Sequence, residues 1–232
     1  MPFTPMCMPE RTSMADPRLH LLHLSSPSLP IGAYAYSQGL EYAIEAGWVD
    51  GDDLQRWLLD GLELGLAQLE LPALLRMLQG LEHGEVGVLD DWNNRVLANR
   101  ETRELLLEDE QIGGALWRLL GHLDPAPLPA LHRGPSYVTA YAVACHRWSI
   151  GPDDALPAFA YSWLENQVSA ATKLVPLGQS DAQRLLVSLL GPIPDLCARA
   201  AAVTDACIGL SLPGLALASC RHEHQHTRLF RS

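Results

Sequence analysis

Cys220-Arg221-His222-Glu223-His224-Gln225-His226 places a thiol beside alternating imidazoles. Thiolate and imidazole are the soft and borderline ligands that suit Ni²⁺, Zn²⁺ or Cu²⁺ near neutral pH. In an extended segment these histidines share one side, whereas on a helix Cys220 and His224 share a face. No second ligand cluster completes a closed site, and a solvated, titrating helix end accounts for the same residues. Cys220 and His222 are therefore the metal candidates. Immediately after them, Arg228 and Arg231 bracket Leu229 and Phe230, an apolar pair between charges that suits a partner's groove.

Two stretches upstream are equally distinctive. In Ser25-Ser26-Pro27-Ser28-Leu29-Pro30-Ile31-Gly32 the prolines and glycine forbid a helix. Tyr34, Tyr36 and Ser37 then lead into a short helix carrying Leu40, Glu41 and Ile44 and closed by Gly47. Ser37 is the expected N-cap, its hydroxyl accepting a first-turn amide. Such an elbow can present its tyrosines to a partner, or bury them as core residues tied by one hydrogen bond. The third stretch is Lys173, at the end of a mostly apolar helix near Glu165 and Asn166 and ahead of Pro176-Leu177-Gly178-Gln179. There a lysine can contact a partner or simply complement the helix dipole.

The elements that must position these groups are helical. Residues 1–17 read as a flexible arm, and 18–232 as one helical body whose final stretch, about 215–232, is a docking tail. Asp52 or Asp53 caps a helix with Leu54, Trp57, Leu58, Leu62, Leu66 and Leu69 on one stripe, which Pro72 kinks or restarts. A helix over 86–107 follows, its segment Arg100-Glu101-Thr102-Arg103-Glu104 read as a solvated, ion-paired face, and another spans 112–123. Ser136 caps a helix to Ile150; Asp153 or Asp154 caps the next, through Leu174; Ser180 opens a capping box. Pro194 sits in a first turn, and Pro213-Gly214 separates the last stretch. No β-branched residues alternate as a strand requires. The chain reads as an all-α, single-domain bundle of about ten helices with short loops and no sheet.

Composition narrows the function. Of 232 residues 48% are hydrophobic, enough for a real core. A net charge of −11 with 16 Lys+Arg leaves no basic face for nucleic acid. The 5 cysteines form no CxxC pair and predict a reducing compartment rather than a disulfide framework. No apolar run approaches the ~18–20 residues that cross a bilayer, and residues 1–18 lack the apolar core of a secretory signal. A cytoplasmic protein with no membrane or nucleic-acid partner is the expectation. The sequence carries no GxxxxGK[ST], GxGxxG, HExxH or GxSxG, so no enzyme activity is expected.

Taken together, several motifs in order resemble the urease accessory protein UreF family. They are Ser26-Pro27-Ser28-Leu29-Pro30-Ile31-Gly32, then Tyr36-Ser37-Gln38-Gly39-Leu40-Glu41, then Asn99-Arg100-Glu101-Thr102-Arg103-Glu104 with Glu108-Asp109. Lys173-Leu174-Val175-Pro176-Leu177-Gly178-Gln179, His222-Glu223 and Arg228-Leu229-Phe230-Arg231-Ser232 complete the set. The resemblance implies an all-α homodimer that binds a UreD(UreH)-type scaffold protein, recruits a UreG-type GTPase, and helps load nickel into apo-urease. It implies no turnover and no tightly bound cofactor, nickel being at most a transient visitor. The expected partner-binding residues are Tyr36, Ser37, Gln38, Glu41, Lys173, Gln179, His222, Glu223, Arg228, Leu229, Phe230 and Arg231. The elbow and the Lys173 region are expected to face the GTPase, and the tail the scaffold protein. Two alternatives accompany this reading: an arginine finger from Arg228 or Arg231 acting on the GTPase, and a direct nickel relay through Cys220 and His222.

Overall fold

A computed structural model describes residues 16–51, 53–209 and 211–232. They form helices α1 (Pro17–Leu24), α2 (Leu40–Glu45), α3 (Leu54–Asp60), α4 (Glu70–Glu82), α5 (Val86–Ala98), α6 (Arg103–Leu123), α7 (Tyr137–Arg147), α8 (Pro152–Leu174), α9 (Gln179–Leu190), α10 (Ile193–Ala202) and α11 (Pro213–His222). Among the described residues there is no strand, so the all-α expectation is met. Most of the expected arm, residues 1–15, lies outside the described residues, as does Asp52. Asp16 caps α1, its side chain accepting the Arg18 N–H at 2.9 Å, and Pro17 takes the first helical position.

Helix α4 is the centre of the body. It packs against α5, α7, α8 and α10, and Leu71, Pro72, Ala73, Leu74, Met77, Leu78 and Leu81 are all buried. A helix apolar around most of its circumference is stable only when surrounded. Each leucine so buried contributes roughly 1.5–3 kcal/mol.

Several helix boundaries differ from the sequence reading, each for a local reason. The stripe from Leu54 to Leu69 is not one helix: α3 stops at Asp60, a π-turn spans Gly61–Gly65, a 3₁₀ turn spans Leu66–Gln68, and α4 restarts ahead of Pro72. Gly61 permits a close approach here, since a Cβ would lie 2.6 Å from Trp163 Cη2. The expected helix over 86–107 breaks at residues 99–102. Thr102 caps α6 by accepting the Leu105 N–H at 3.2 Å, and α6 then runs unbroken through Gly113-Gly114 to Leu123. A Cβ on Gly113 would sit 2.2 Å from the Pro135 carbonyl oxygen, so this glycine sets the approach of α6 to the start of α7.

Capping follows the same pattern of partial agreement. Ser136 caps α7 as expected, its Oγ accepting the Thr139 N–H at 3.2 Å. However, α7 ends at Arg147 because Ser149 adopts φ 56°. Gly151-Pro152 opens α8 rather than closing α7, which places Asp153 and Asp154 in the first turn as dipole partners instead of caps. Asp53 and Ser180 make no capping bond either; Gly178 holds the cap position of α9. Pro194 lies in the first turn of α10, and Pro213-Gly214 begins α11 instead of separating it.

Candidate functional site

The elbow and the tail, at opposite ends of the sequence, meet in one junction on α2 and α6. Ser37 is not the N-cap of α2. That position belongs to Gly39 at φ 78°, where a Cβ would come within 3.0 Å of the Ser219 nitrogen of α11. Ser37 Oγ still accepts the Glu41 N–H at 3.3 Å, but it also donates to the Ser232 carbonyl at 2.6 Å, and the Ser37 N–H donates to the same oxygen at 2.9 Å. Next to it, the Arg231 N–H donates to the Ala35 carbonyl at 2.9 Å. The elbow thus acts as an edge to which the tail is laced.

Glu41 is the main fastening. Its carboxylate accepts the N–H groups of Leu229 at 2.6 Å and Phe230 at 2.8 Å, and lies 3.1 Å from His222 Nε2. The other ring nitrogen, Nδ1, is 2.8 Å from Glu104 Oε2, while Glu104 Oε1 accepts from Arg228 Nη1 at 2.6 Å. His222 is fully buried, with a carboxylate against each of its ring nitrogens. One turn along α6, Glu108 accepts from Ser232 Oγ at 2.6 Å and from Gln38 Nε2 at 2.8 Å. Burial pushes the Glu108 carboxyl up to about 7, against the hydrogen bonds from Ser232 and Gln38 and the charge of Arg100.

The segment read as a solvated charged face is instead partly interior. Arg100 donates to Glu70 Oε1 at 2.6 Å and to Asp109 Oδ2 at 2.8 Å. Burial works against its charge, and the carboxylates of Asp109 and Glu70 overcome that, holding its pKa above the ordinary arginine value. Thr102 and Glu104 are buried too, while Glu101 and Arg103 remain exposed. The reason is the break at 99–102: it turns Arg100 inward between α4 and α6 instead of leaving it on a helix surface.

The expected site residues therefore divide. Tyr36, Ser37, Glu41, His222 and Phe230 face inward. Tyr36 donates to Gln111 at 2.6 Å, and Gln38 spans Glu108 and the Trp163 indole N–H, which donates to its Oε1 at 2.8 Å. Facing out are Leu229 at 61% exposure, Lys173, Arg228 and Arg231, as is the elbow's Tyr34 at 65%. Lys173 Nζ stands 5.2 Å over the Phe230 ring, so the third stretch joins the same junction. Glu223 is half-buried and pairs with Arg103 at 3.7 Å. Gln179 is exposed at the start of α9. Cys220 is exposed while His222 is enclosed, and α11 ends before His224, so these three do not share a helix face. Among the described residues no cluster of three metal-ligating side chains is arranged around a common point.

Sequence reasoning missed Glu70, Gln111, Trp163 and Ser232 as junction residues. Their partners lie far along the chain, and the break ahead of Thr102 that turns the charge run inward was hidden by the helical spacing on either side of it. Fold and junction together define an all-helical protein whose two most distinctive end segments are bound to each other through buried carboxylates. The UreF family model matches residues 48–190. Relatives named urease accessory protein UreF are similar over nearly the whole chain. That of Teredinibacter turnerae is 51% identical, covering 94% of this chain and 100% of the relative. Those of Chromohalobacter salexigens and Azoarcus sp. are 48% and 46% identical, over 91% and 93% of this chain and 93% and 96% of their own. The chain belongs to the urease accessory protein UreF family, as its motifs led us to expect.

Proposed function

We propose that this chain is a non-catalytic scaffold and regulator in urease maturation, joining a UreD(UreH)-type scaffold protein to a UreG-type GTPase while nickel is loaded into apo-urease. Nickel is cargo in this reading, not a resident of the chain. The observation that carries it is family membership over nearly the whole length, with relatives named as accessory proteins. The junction supports it: laced inside, it leaves Tyr34, Lys173, Leu229 and Arg231 exposed on a chain of net charge −11. Rigid apolar anchors beside arginine are favoured contact residues at interfaces.

Co-purification of the tagged chain with UreD- and UreG-type partners tests this. Recovery of both is expected, with Arg231→Ala and Leu229→Asp each weakening recovery at least about tenfold if the surface is the contact. A well-folded chain that binds neither partner at micromolar concentration would overturn the reading. For an arginine finger, Arg231 is the better donor, because the guanidinium of Arg228 is held by Glu104; equal GTP hydrolysis with wild type and Arg231→Ala sinks that alternative. A relay through His222 would require displacing both carboxylates from its ring.

A further inference from the structure

Behind Gln38, at the edge of the junction, Trp57, Gly61, Trp163, Gln167, Leu212 and Leu215 line a cavity of about 190 Å³. Its wall is the π-turn at Gly61–Gly65, a geometry that costs backbone regularity and recurs at functional positions. The orientation of Trp163 is fixed twice over: its indole N–H donates to Gln38, and its ring edge fits only because position 61 lacks a Cβ. Gln167 lines the same cavity. It is 2% exposed, and its Nε2 has no hydrogen-bond partner among the described residues.

A buried amide left unpaired costs about 1–3 kcal/mol, so the Gln167 Nε2 group calls for an acceptor. Indole and leucine side chains form half of the lining, with Gln38, Asp60 and Gln167 as its polar groups, so an occupant that answers the whole site must offer apolar surface as well as an acceptor. A site for a whole drug-sized ligand runs to roughly 300–1,000 Å³, so the space suits a single anchoring side chain. It must be flat enough for two indoles and carry an oxygen at its far end. The Asp60 carboxylate, paired with Arg56 at 2.8 Å, also lines the cavity and has lone pairs left to accept a hydroxyl proton. The mouth is apolar and open to the surface, with Leu64 at 44% exposure and Gly214 exposed.

We propose that this cavity receives a tyrosine side chain from a partner protein, its ring against Trp57 and Trp163 and its hydroxyl accepting from Gln167 Nε2. Tyrosine supplies a large apolar body with one polar tip, which is why it recurs as an interface anchor. The proposal rests on the reading of the chain as a binding scaffold, and its test uses free probes so that each can fail without the other.

N-acetyl-tyrosine amide and N-acetyl-phenylalanine amide are titrated against the full chain, following the Trp163 indole N–H resonance by NMR. The tyrosine probe is expected to shift that resonance and to bind roughly tenfold more tightly than the phenylalanine probe, the usual worth of one hydrogen bond. Gln167→Leu should erase the difference between the probes. Leu64→Trp, on the exposed rim, should weaken both. Equal binding of the two probes to wild type, or no shift up to their solubility limits, overturns the proposal and leaves the cavity to solvent. Co-purification with partner proteins would be unaffected by that result and tests the scaffold reading separately.

Discussion

At the scale of single residues, Glu41 and Arg100 matter for the same reason: each is a buried charge whose cost is offset only by several partners at once. Glu41 holds two tail amides and one imidazole nitrogen. Glu41→Ala should destabilise the protein by about 3 kcal/mol, since removing one member of a buried charged network strands the rest. Urea unfolding would measure it, and amide hydrogen exchange at Leu229 and Phe230 should speed up at the same time. Arg100→Met leaves Glu70 and Asp109 facing each other without a cation, an expected loss of about 3–5 kcal/mol in the same assay. Glu108 gives a pH dependence with a definite sign. Its folded pKa of about 7 lies above the ordinary 4.5, so folding favours its protonated form. The stability it contributes is complete below about 4.5 and lost as pH rises through about 7, at most roughly 3 kcal/mol. Stability of wild type should therefore fall relative to Glu108→Gln between about pH 5 and pH 8; parallel curves for the two would refute this.

At the scale of elements, two adjacent glycines in α6 separate packing from propensity. Gly113→Ala forces a methyl group into the backbone at Pro135 and Ser136, which cannot yield as a side chain would. A loss of about 3 kcal/mol or more is expected. Gly114→Ala meets at nearest the flexible end of Arg118 at 3.4 Å, so it should stabilise α6 by roughly 0.5–1 kcal/mol through helix propensity. Thermal unfolding of both variants should show shifts of opposite sign. These glycines were visible in the sequence as small residues, yet which one touches a neighbour was not. The same holds for helix ends. The apolar period continues across residues 99–102 and hid the break there, because periodicity reports which face is buried, whereas the Thr102 cap decides where the helix begins.

At the scale of the whole molecule, the junction joins segments far apart in the chain: the Ser37–Ser232 and Glu41–Phe230 bonds close loops of 195 and 189 residues. Loop closure costs more as the loop lengthens, though only slowly, so these bonds are expected to form late in folding, after α4 has gathered its neighbours. Tail release should then precede global unfolding, read as exchange of the Phe230 amide with a lower opening free energy than that of Leu74 in α4.

The sequence by itself determined the helical class, the apolar stripes that became the core, the Ser136 cap, and the family motifs. Each of these is a nearest-neighbour property, set by spacing, propensity and turn chemistry within a few residues. Only the tertiary structure decided that Glu41, Glu104 and Glu108 would face the tail, that Arg100 would turn inward, and that Tyr36 and Phe230 would be buried while Tyr34 and Leu229 were not. A charge is recognised in sequence by its type, but its partner is chosen by the packing of helices far apart along the chain.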